Sequence, residues 1–216
     1  MKLLILRPRP GADETAARAR ALGLEPIVAP LFETRPLDWV PPDPGAYDAL
    51  LFTSANALRL GGAGLGMFLA LPCYAVGERT AQAAREAGFH DVRIGRSDGV
   101  ALAAMARRDG AKSLLHLGGR DHIAIGGATH VAVYASEPTG ALPPDLKAAV
   151  VLLHSARAAA RFAALAADRG AILVAAISAE AAQAAGGGWK RVAIAEAPRD
   201  EALLELAAKL CQKDGG

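Results

Sequence analysis

The residues of this chain that could do chemistry are mainly serines, an asparagine and arginines, and they stand directly after short apolar runs. Hydroxyl, amide and guanidinium groups suit carboxylates and phosphates. These segments hold no cysteine, no cluster of carboxylates and no histidine with an obvious acidic partner, so the pattern indicates anion binding rather than a thiol nucleophile or a metal centre. The candidate substrate-binding side chains are Arg7, Ser54, Asn56, Arg79, Arg120, Ser155 and Ser178.

Ser54 and Ser155 each follow an apolar run and precede an alanine-rich segment. A serine in this place is typical of a helix N-cap, and the free amides behind it can also bind an anion, so both roles stay open. Thr80 falls in the first turn of a helix after Gly77, where capping or solvent exposure is the ordinary role. No GxSxG, GxGxxG or GxxxxGK[ST] motif occurs, which argues against a hydrolase nucleophile and a nucleotide cofactor.

The five histidines, at positions 90, 116, 122, 130 and 154, lack metal-ligand spacing. His116 and His154 fall in predicted strands and indicate core or rim residues. His122, in the loop after Gly119, is the one histidine that is a candidate for a functional contact. Tyr134 ends a predicted strand, where its phenol either packs with its hydroxyl satisfied locally or faces a cleft and donates a hydrogen bond or a proton.

The elements that must position these residues alternate between apolar runs and alanine-rich segments, which predicts parallel sheets with helices on both faces. In such sheets, ligands bind at the carboxyl ends of the strands. Strands are predicted at about 3–6, 25–29, 49–53, 73–76, 92–94, 113–117, 131–134, 150–154, 172–177 and 191–195. Helices are predicted at about 13–22, 54–60, 78–87, 100–107, 156–169, 179–185 and 200–211, with a poorly defined one near Asp121. The glycine-rich stretch 61–66 is expected to be a flexible loop.

The chain repeats itself once, at an offset of 101 residues. The segment 47–57 aligns with 148–158, and 75–84 aligns with 176–185. Ser54 therefore corresponds to Ser155, whereas Thr80 corresponds to Ala181. A period this long exceeds that of solenoid repeats and predicts two similar domains.

Two proline-rich stretches, 30–44 and 138–144, are expected to be connections, because proline disfavours a central strand or a helix. The second copy of the repeat has only three predicted strands. Adding the two N-terminal strands gives five, the number of strands predicted between residues 49 and 134. We therefore predict a discontinuous domain, 1–34 plus 140–216, into which a second domain, 36–134, is inserted. Paired connections of this kind predict a hinge with a cleft.

The composition limits the partners that the chain could have. It is 52% hydrophobic and 21% charged, with a formal net charge of +2, which is too small to indicate nucleic acid as a partner. Cys73 and Cys211 form no CxxC pair, so a buried and a surface thiol are expected, as in a reducing compartment. The apolar stretch at the N-terminus is too short for a signal peptide or a membrane span, so a cytoplasmic protein is predicted. A monomer is expected because no long exposed apolar stripe is evident.

Several short motifs, in this order, resemble the uroporphyrinogen-III synthase family. They cover nearly the whole chain, and each is weak alone while the ordered set is fairly specific. The matching segments are 6–10, 51–57, 75–81, 117–120, 133–134 and 152–155.

The resemblance implies two similar α/β domains, each a parallel sheet flanked by helices, joined by a two-stranded connector and using no metal or organic cofactor. The implied substrate is hydroxymethylbilane, a linear tetrapyrrole polycarboxylate. The implied reaction loses the terminal hydroxyl to give an azafulvene cation, inverts ring D through a spiro-pyrrolenine and closes to uroporphyrinogen III. Such an enzyme mainly holds a flexible chain in one geometry, because closure without inversion occurs uncatalysed.

The resemblance also assigns roles to residues. Tyr134 matches a cleft tyrosine proposed as the acid that assists hydroxyl departure, and Thr80 matches a threonine near the substrate. Ser54, Ala55, Ser155 and Ala156 match loops whose amides meet carboxylates. Two departures stand out. The family usually has a threonine at the position of Ala181 and a glycine at the position of Ser178, so a substrate contact there is in doubt or is supplied by Ser178. The segment 119–129 is also shorter than the helix that the family has there.

Two rival functions stay open at this point. A non-enzymatic two-domain binding module, of the periplasmic sugar-binding type, would share the hinged architecture, but the sequence has neither an export signal nor aromatic stacking residues in its loops. A degraded relative that only scaffolds would account for Ala181 and the short 119–129 segment.

Overall fold

The computed structural model describes residues 2–139, 142, 143, 146 and 149–213, and the chain divides into two compact units. Unit 1 comprises Met1–Glu33 and Pro138–Gly216, and unit 2 comprises Thr34–Glu137. The predicted domain limit at residue 140 and three residues of the second proline-rich stretch, 140, 141 and 144, lie outside the described residues. It stays a prediction that two separate domains, 1–34 plus 140–216 and 36–134, fold or move independently.

Unit 1 is built on a sheet of five parallel strands in the order β11-β10-β9-β1-β2. Its four helices connect or follow these strands. The strands are β1 (Lys2–Ile5), β2 (Glu25–Val28), β9 (Val150–Leu153), β10 (Leu173–Ala176) and β11 (Arg191–Ile194), and the helices are α1 (Gly11–Ala21), α5 (Ala156–Leu165), α6 (Ala179–Ala185) and α7 (Asp200–Lys213).

The central strands of unit 1 are apolar throughout because both faces of the sheet are covered. In β1, Leu3 and Ile5 face one core layer with α1 and α7, while Leu4 packs in the other layer with α5 and α6. All four residues of β9 are buried. This explains why short unbroken apolar runs, rather than alternating patterns, indicated these strands correctly.

Unit 2 is built on a six-stranded sheet in the order β3-β8-β7-β4-β5-β6. The strands from β8 to β6 are parallel. The strands are β3 (Phe32–Pro36), β4 (Ala49–Phe52), β5 (Cys73–Val76), β6 (Val92–Gly95), β7 (Leu114–Gly119) and β8 (Ala128–Pro138), and the helices are α2 (Ala55–Leu60), α3 (Gly77–Glu86) and α4 (Gly99–Arg108).

The two sheets share one strand order. The series β6-β5-β4-β7-β8 corresponds to β11-β10-β9-β1-β2, and the repeat at offset 101 supplies the first three strands of each. The last two differ in their connection. In unit 1, α1 links β1 to β2, whereas in unit 2 residues 120–127 link β7 to β8 without a helix. Unit 2 therefore lacks one of the helices that cover the sheet in unit 1.

Four sequence-based expectations were wrong. No helix forms near Asp121, because Ile125 is drawn into the core and Arg107 Nη2 donates to the carbonyl of Gly126 at 2.6 Å, which holds the segment as a loop. Residues Gly62–Phe68 form a 3₁₀ helix instead of a flexible loop, with Leu65 and Phe68 buried. Helix α5 ends at Leu165, short of 169, since Ala166 is extended.

The fourth correction is β3, a strand within the stretch that we expected to be only a connection. Its single neighbour is β8, so it is an edge strand, the position where proline is tolerated. Leu37 N donates to Val133 O at 3.0 Å, and Thr139 N donates to Leu31 O at 2.9 Å, a pattern that makes the pair antiparallel. The chain passes between the units at 33–34 and 137–138, both within this strand pair. No helix among the described residues is long and apolar enough to cross a membrane.

Candidate functional site

Unit 2 contains a cavity of about 510 Å³ at the carboxyl ends of its central strands. Four strands contribute: Thr53 and Ser54 follow β4, Val76 ends β5, Gly119 ends β7, and Tyr134 lies in β8. The remaining wall comes from the loop before α4, the first two residues of α4 and the β7–β8 loop, which together contribute Ser97, Asp98, Gly99, Val100, Asp121, His122, Ile123 and Ile125. This is the position at which open parallel sheets bind ligands.

The β7–β8 connection forms part of the cavity wall. Where unit 1 has α1 between two neighbouring strands, unit 2 has only the loop 120–127, and four residues of this loop line the cavity. Two side chains that line the cavity are apolar and exposed, Ile123 at 86% and Val100 at 59%. Exposed apolar side chains beside a cavity are typical of a ligand surface.

The polar groups of the cavity have structural partners as well. Ser54 caps α2, its Oγ accepting from Asn56 N at 3.2 Å, and Asp98 caps α4, its Oδ1 accepting from Ala101 N at 2.8 Å. The capping role expected for Ser54 is therefore confirmed. Gly99 lies so close to Thr53 and Ile125 that an added Cβ would come within 2.6 Å of Ile125 Cδ1. A side chain at this position would change the cavity wall.

Tyr134 packs its phenol ring against the backbone of Gly119. A Cβ at Gly119 would come within 2.9 Å of Tyr134 Cζ and 3.1 Å of its hydroxyl oxygen. The backbone is tied at the same place, because Arg120 N donates to Tyr134 O at 2.9 Å. The glycine thus sets where the phenol lies, at the wall of the cavity.

Three histidines cluster at the same end of the sheet, although they are far apart in the sequence. His116 and His130 are register partners in β7 and β8, and their Nδ1 atoms are 3.1 Å apart. The His122 ring stacks on the His130 ring with centroids 3.4 Å apart and planes 19° apart. Thr53 Oγ1 lies 3.1 Å from His116 Nε2. Within the described ranges, no group of three or more His, Cys, Asp and Glu side chains is arranged to hold a metal ion.

Burial and mutual repulsion keep the inner histidines neutral. Burial, followed by the neighbouring His130 and His122, lowers the pKa of His116 to about 4. Burial and then His122 lower the pKa of His130 as well. Both rings are therefore uncharged at neutral pH, and one donates its Nδ1 hydrogen to the other.

The matching end of the sheet in unit 1 holds a polar network. Asp200, the first residue of α7, accepts from Thr15 Oγ1 at 2.9 Å, from His154 Nε2 at 2.8 Å and from Arg18 Nη1 at 2.6 Å. Arg7 Nη1 is 3.5 Å from Asp200 Oδ1. Burial opposes the charge of Asp200, but the hydrogen bonds from His154, Thr15 and Arg18 outweigh it and lower the pKa of the carboxyl to about 2.

A family model described as uroporphyrinogen-III synthase HemD matches residues 13–205. The chain belongs to the uroporphyrinogen-III synthase family. Two solved structures share its fold. Uroporphyrinogen-III synthetase from Helicobacter pylori 26695 has a TM-score of 0.68 at 20% identity, over 97% of this chain and 100% of the other. A mutant uroporphyrinogen III synthase from Thermus thermophilus has a TM-score of 0.51 at 17% identity, over 99% and 100%. No curated protein sequence matches the chain.

Membership of the uroporphyrinogen-III synthase family confirms the resemblance and the fold class predicted from the sequence. Of the residues predicted for the site, Ser54 and Tyr134 line the cavity of unit 2, and so does His122, the one histidine that was a candidate for a functional contact. Ala55, Asn56, Arg79, Thr80 and Arg120 also belong to unit 2 but lie outside that lining. Thr80 is buried at 5% exposure, and Arg120 pairs with Glu137 at 2.8 Å.

The other predicted residues of this family member belong to unit 1. Arg7 is engaged by Thr15 and Asp200, and Ser155 and Ser178 cap α5 and α6 through Ala158 N and Ala181 N, each at 3.2 Å. Ala156 is the first residue of α5. The sequence reasoning missed Thr53, Asp98, His116 and His130. The contact between His116 and His130 could have been predicted from their place in neighbouring parallel strands. It was missed because the predicted strand began at Val131 and did not include His130.

Proposed function

We propose that this chain is a uroporphyrinogen-III synthase, a lyase that removes water from hydroxymethylbilane and closes the ring with inversion of ring D. The family match over residues 13–205 is the observation that carries this proposal. The reaction releases one molecule of water and changes no oxidation state, so a cofactor-free enzyme suffices. No finding favours a non-enzymatic binding module.

The cavity of unit 2 suits the reacting end of such a substrate. Val100 and Ile123 offer exposed apolar surface for a pyrrole ring, and Tyr134 offers a phenol at the wall. We propose that Tyr134 is catalytic and assists departure of the hydroxyl. Thr80, although buried, is proposed to act on the same reaction from the first turn of α3. The carboxylates of Asp98 and Asp121 at the cavity wall would stabilise the cationic azafulvene relative to the neutral hydroxymethyl pyrrole from which it forms.

The carboxylates of the substrate need donors, which we propose come from the loops at the strand ends of both sheets. In unit 2 these are the groups at Ser54, Ala55, Asn56, Arg79 and Arg120, and in unit 1 those at Arg7, Ser155, Ala156 and Ser178. Hydroxyls and guanidinium groups of this kind, together with amides at helix starts, bind carboxylates. We further propose that the protein works in the cytoplasm, a reducing compartment that suits its two free cysteines, and that it is a monomer.

The test is to supply hydroxymethylbilane, oxidise the products and resolve the type I and type III isomers by chromatography. Type III product, formed faster than the protein-free closure to type I, is the expected result. Formation of type I alone, at the rate of the protein-free control, would remove the proposed activity. His90→Gln is a suitable reference variant, because His90 is exposed and lies outside the cavity.

A further inference from the structure

The histidine cluster contains one member that faces the cavity and two that do not. His122 is exposed and lines the cavity, His116 is buried, and His130 is half-buried behind it. Imidazole is the side chain that both gives and takes protons near neutral pH. A histidine in the wall of a reaction cavity is therefore a candidate acid and base.

The ring of His122 is fixed by two contacts. Its Nδ1 lies 3.2 Å from the carbonyl oxygen of Arg120, and its face stacks on His130. A carbonyl oxygen can only accept, so Nδ1 carries a hydrogen and the neutral ring keeps its lone pair on Nε2. Nε2 is then the atom that can exchange a proton with a bound molecule.

His122 is the ring of the cluster that meets the cavity. The ring centroid of His116 lies 4.8 Å from that of His130 and 6.0 Å from that of His122, and burial disfavours the charged form of the two inner rings. Asp98, Asp121 and Tyr134 line the same cavity, while Arg120 is paired with Glu137. Of the three rings, His122 is therefore the one placed to exchange a proton with a bound molecule.

We propose that His122 is the catalytic acid and base of the cyclisation, an inference that rests on the proposed function. Imidazolium Nε2–H gives its proton to the terminal hydroxyl, the C–O bond breaks with its electron pair on oxygen, and water leaves the azafulvene cation. After inversion and closure, neutral Nε2 takes the proton that the closing pyrrole carbon loses. The imidazolium is restored and one water is released. Tyr134 then acts by hydrogen bonding to the departing hydroxyl.

His116 and His130 are positioning residues in this scheme. His130 supplies the face on which His122 stacks, and the short Nδ1 contact to His116 fixes the His130 ring. His116 is itself held by Thr53 at the cavity wall. The series of contacts from Thr53 through His116 and His130 thus supports the ring of His122, which meets the substrate.

The experiment compares His122→Gln and His122→Gly with His90→Gln in the type III assay across pH. Since His122 is exposed, the variants should keep the urea midpoint of the parent protein. Loss of a positioned acid and base lowers kcat by about 10²-fold, with KM changed far less. The fall of kcat with rising pH, present in the parent and in His90→Gln, disappears in His122→Gln. Added imidazole restores part of the rate of His122→Gly.

The outcomes separate the two proposals. If the parent protein makes no type III product, the proposed function itself fails. If the parent is active and His122→Gln keeps its kcat and its pH profile, His122 is not the acid and base. A rise in KM alone, without rescue by imidazole, would likewise reduce His122 to a binding residue and overturn the assignment.

Discussion

At the scale of single residues, Tyr134 and Thr80 were paired in the sequence analysis but occupy different surroundings. Tyr134 lines the cavity with its ring against Gly119, whereas Thr80 is buried in α3. Tyr134→Phe removes only the hydroxyl and keeps the packed ring. We expect it to slow formation of type III by about tenfold or more, and to do so more than Thr80→Ala. Equal and negligible losses in the isomer assay would remove Tyr134 from the mechanism.

Asp200 is the residue on which the stability of unit 1 depends most clearly at acid pH. Its folded pKa of about 2 lies below the ordinary 3.8 of an aspartate. A depressed pKa contributes stability that is complete above about pH 4 and is lost as pH falls through about 2. Urea unfolding followed by Trp189 fluorescence should show the free energy of unfolding decline over this window.

The matched variants are Asp200→Asn and Glu205→Gln, both in α7. Asp200→Asn removes the negative charge to which His154, Arg18 and Thr15 donate hydrogen bonds. The variant should lower the free energy of unfolding by about 2–3 kcal/mol at neutral pH, and it should flatten the decline of this free energy at acid pH. Glu205 is exposed, and its variant should behave like the parent. An unchanged decline in Asp200→Asn would show that other carboxyls cause it.

At the scale of elements, the β7–β8 loop is expected to control the site. Gly119→Ala places a Cβ within 2.9 Å of the Tyr134 ring, so the phenol must move. Gly126→Ala, in the same loop, meets nothing within 4 Å. We expect the type III rate to fall in Gly119→Ala and to stay unchanged in Gly126→Ala. Equal rates in the two variants would mean that the position of Tyr134 does not matter.

The elements also show what the sequence could and could not predict. The strand at Cys73–Val76 was predicted with its observed bounds, because a strand buried on both faces is an unbroken apolar run. Strand β3 was missed because its prolines argue against a strand, and only pairing with β8 at a sheet edge makes the strand possible. The loop 120–127 was missed for a similar reason, since the burial of Ile125 is a tertiary effect.

The two copies of the repeat differ at the start of their second helix, α3 in unit 2 and α6 in unit 1. Gly77, at the start of α3, has a φ of +73°, a conformation that favours glycine. Its counterpart Ser178 has a φ of −152° and caps α6 with its hydroxyl. The duplicated segments thus kept the strand and the helix but not the turn between them. Of the residues that line the cavity, Ser54 and Tyr134 were predictable from motifs, whereas the contact of His116 with His130 required the pairing of β7 with β8.

At the scale of the whole molecule, the two units reach the same strand order from different parts of the chain. All strands of unit 2 follow within one continuous stretch, whereas unit 1 draws β1 and β2 from the beginning and β9 to β11 from the end. We expect residues 32–138 alone to unfold cooperatively in urea. Trp39, which donates to Gly61 O at 2.8 Å, would report this transition.

The matching fragment 1–33 serves as the control for that experiment. It holds β1, α1 and β2 but lacks β9, the second neighbour of β1. We expect it to show no cooperative transition by circular dichroism, because two strands and one helix bury too little apolar surface. A gradual, non-cooperative loss of structure in 32–138 would contradict the prediction for unit 2.

The pairing of β1 with β9 also has a consequence for synthesis on the ribosome. Leu3 is made before unit 2, yet its register partner Val150 emerges only after all of unit 2. Domains generally fold as units while the chain grows. Unit 2 can therefore fold before the apolar run at Leu3–Leu6 has its partner, and β1 gains both of its neighbours only after a domain made later than itself.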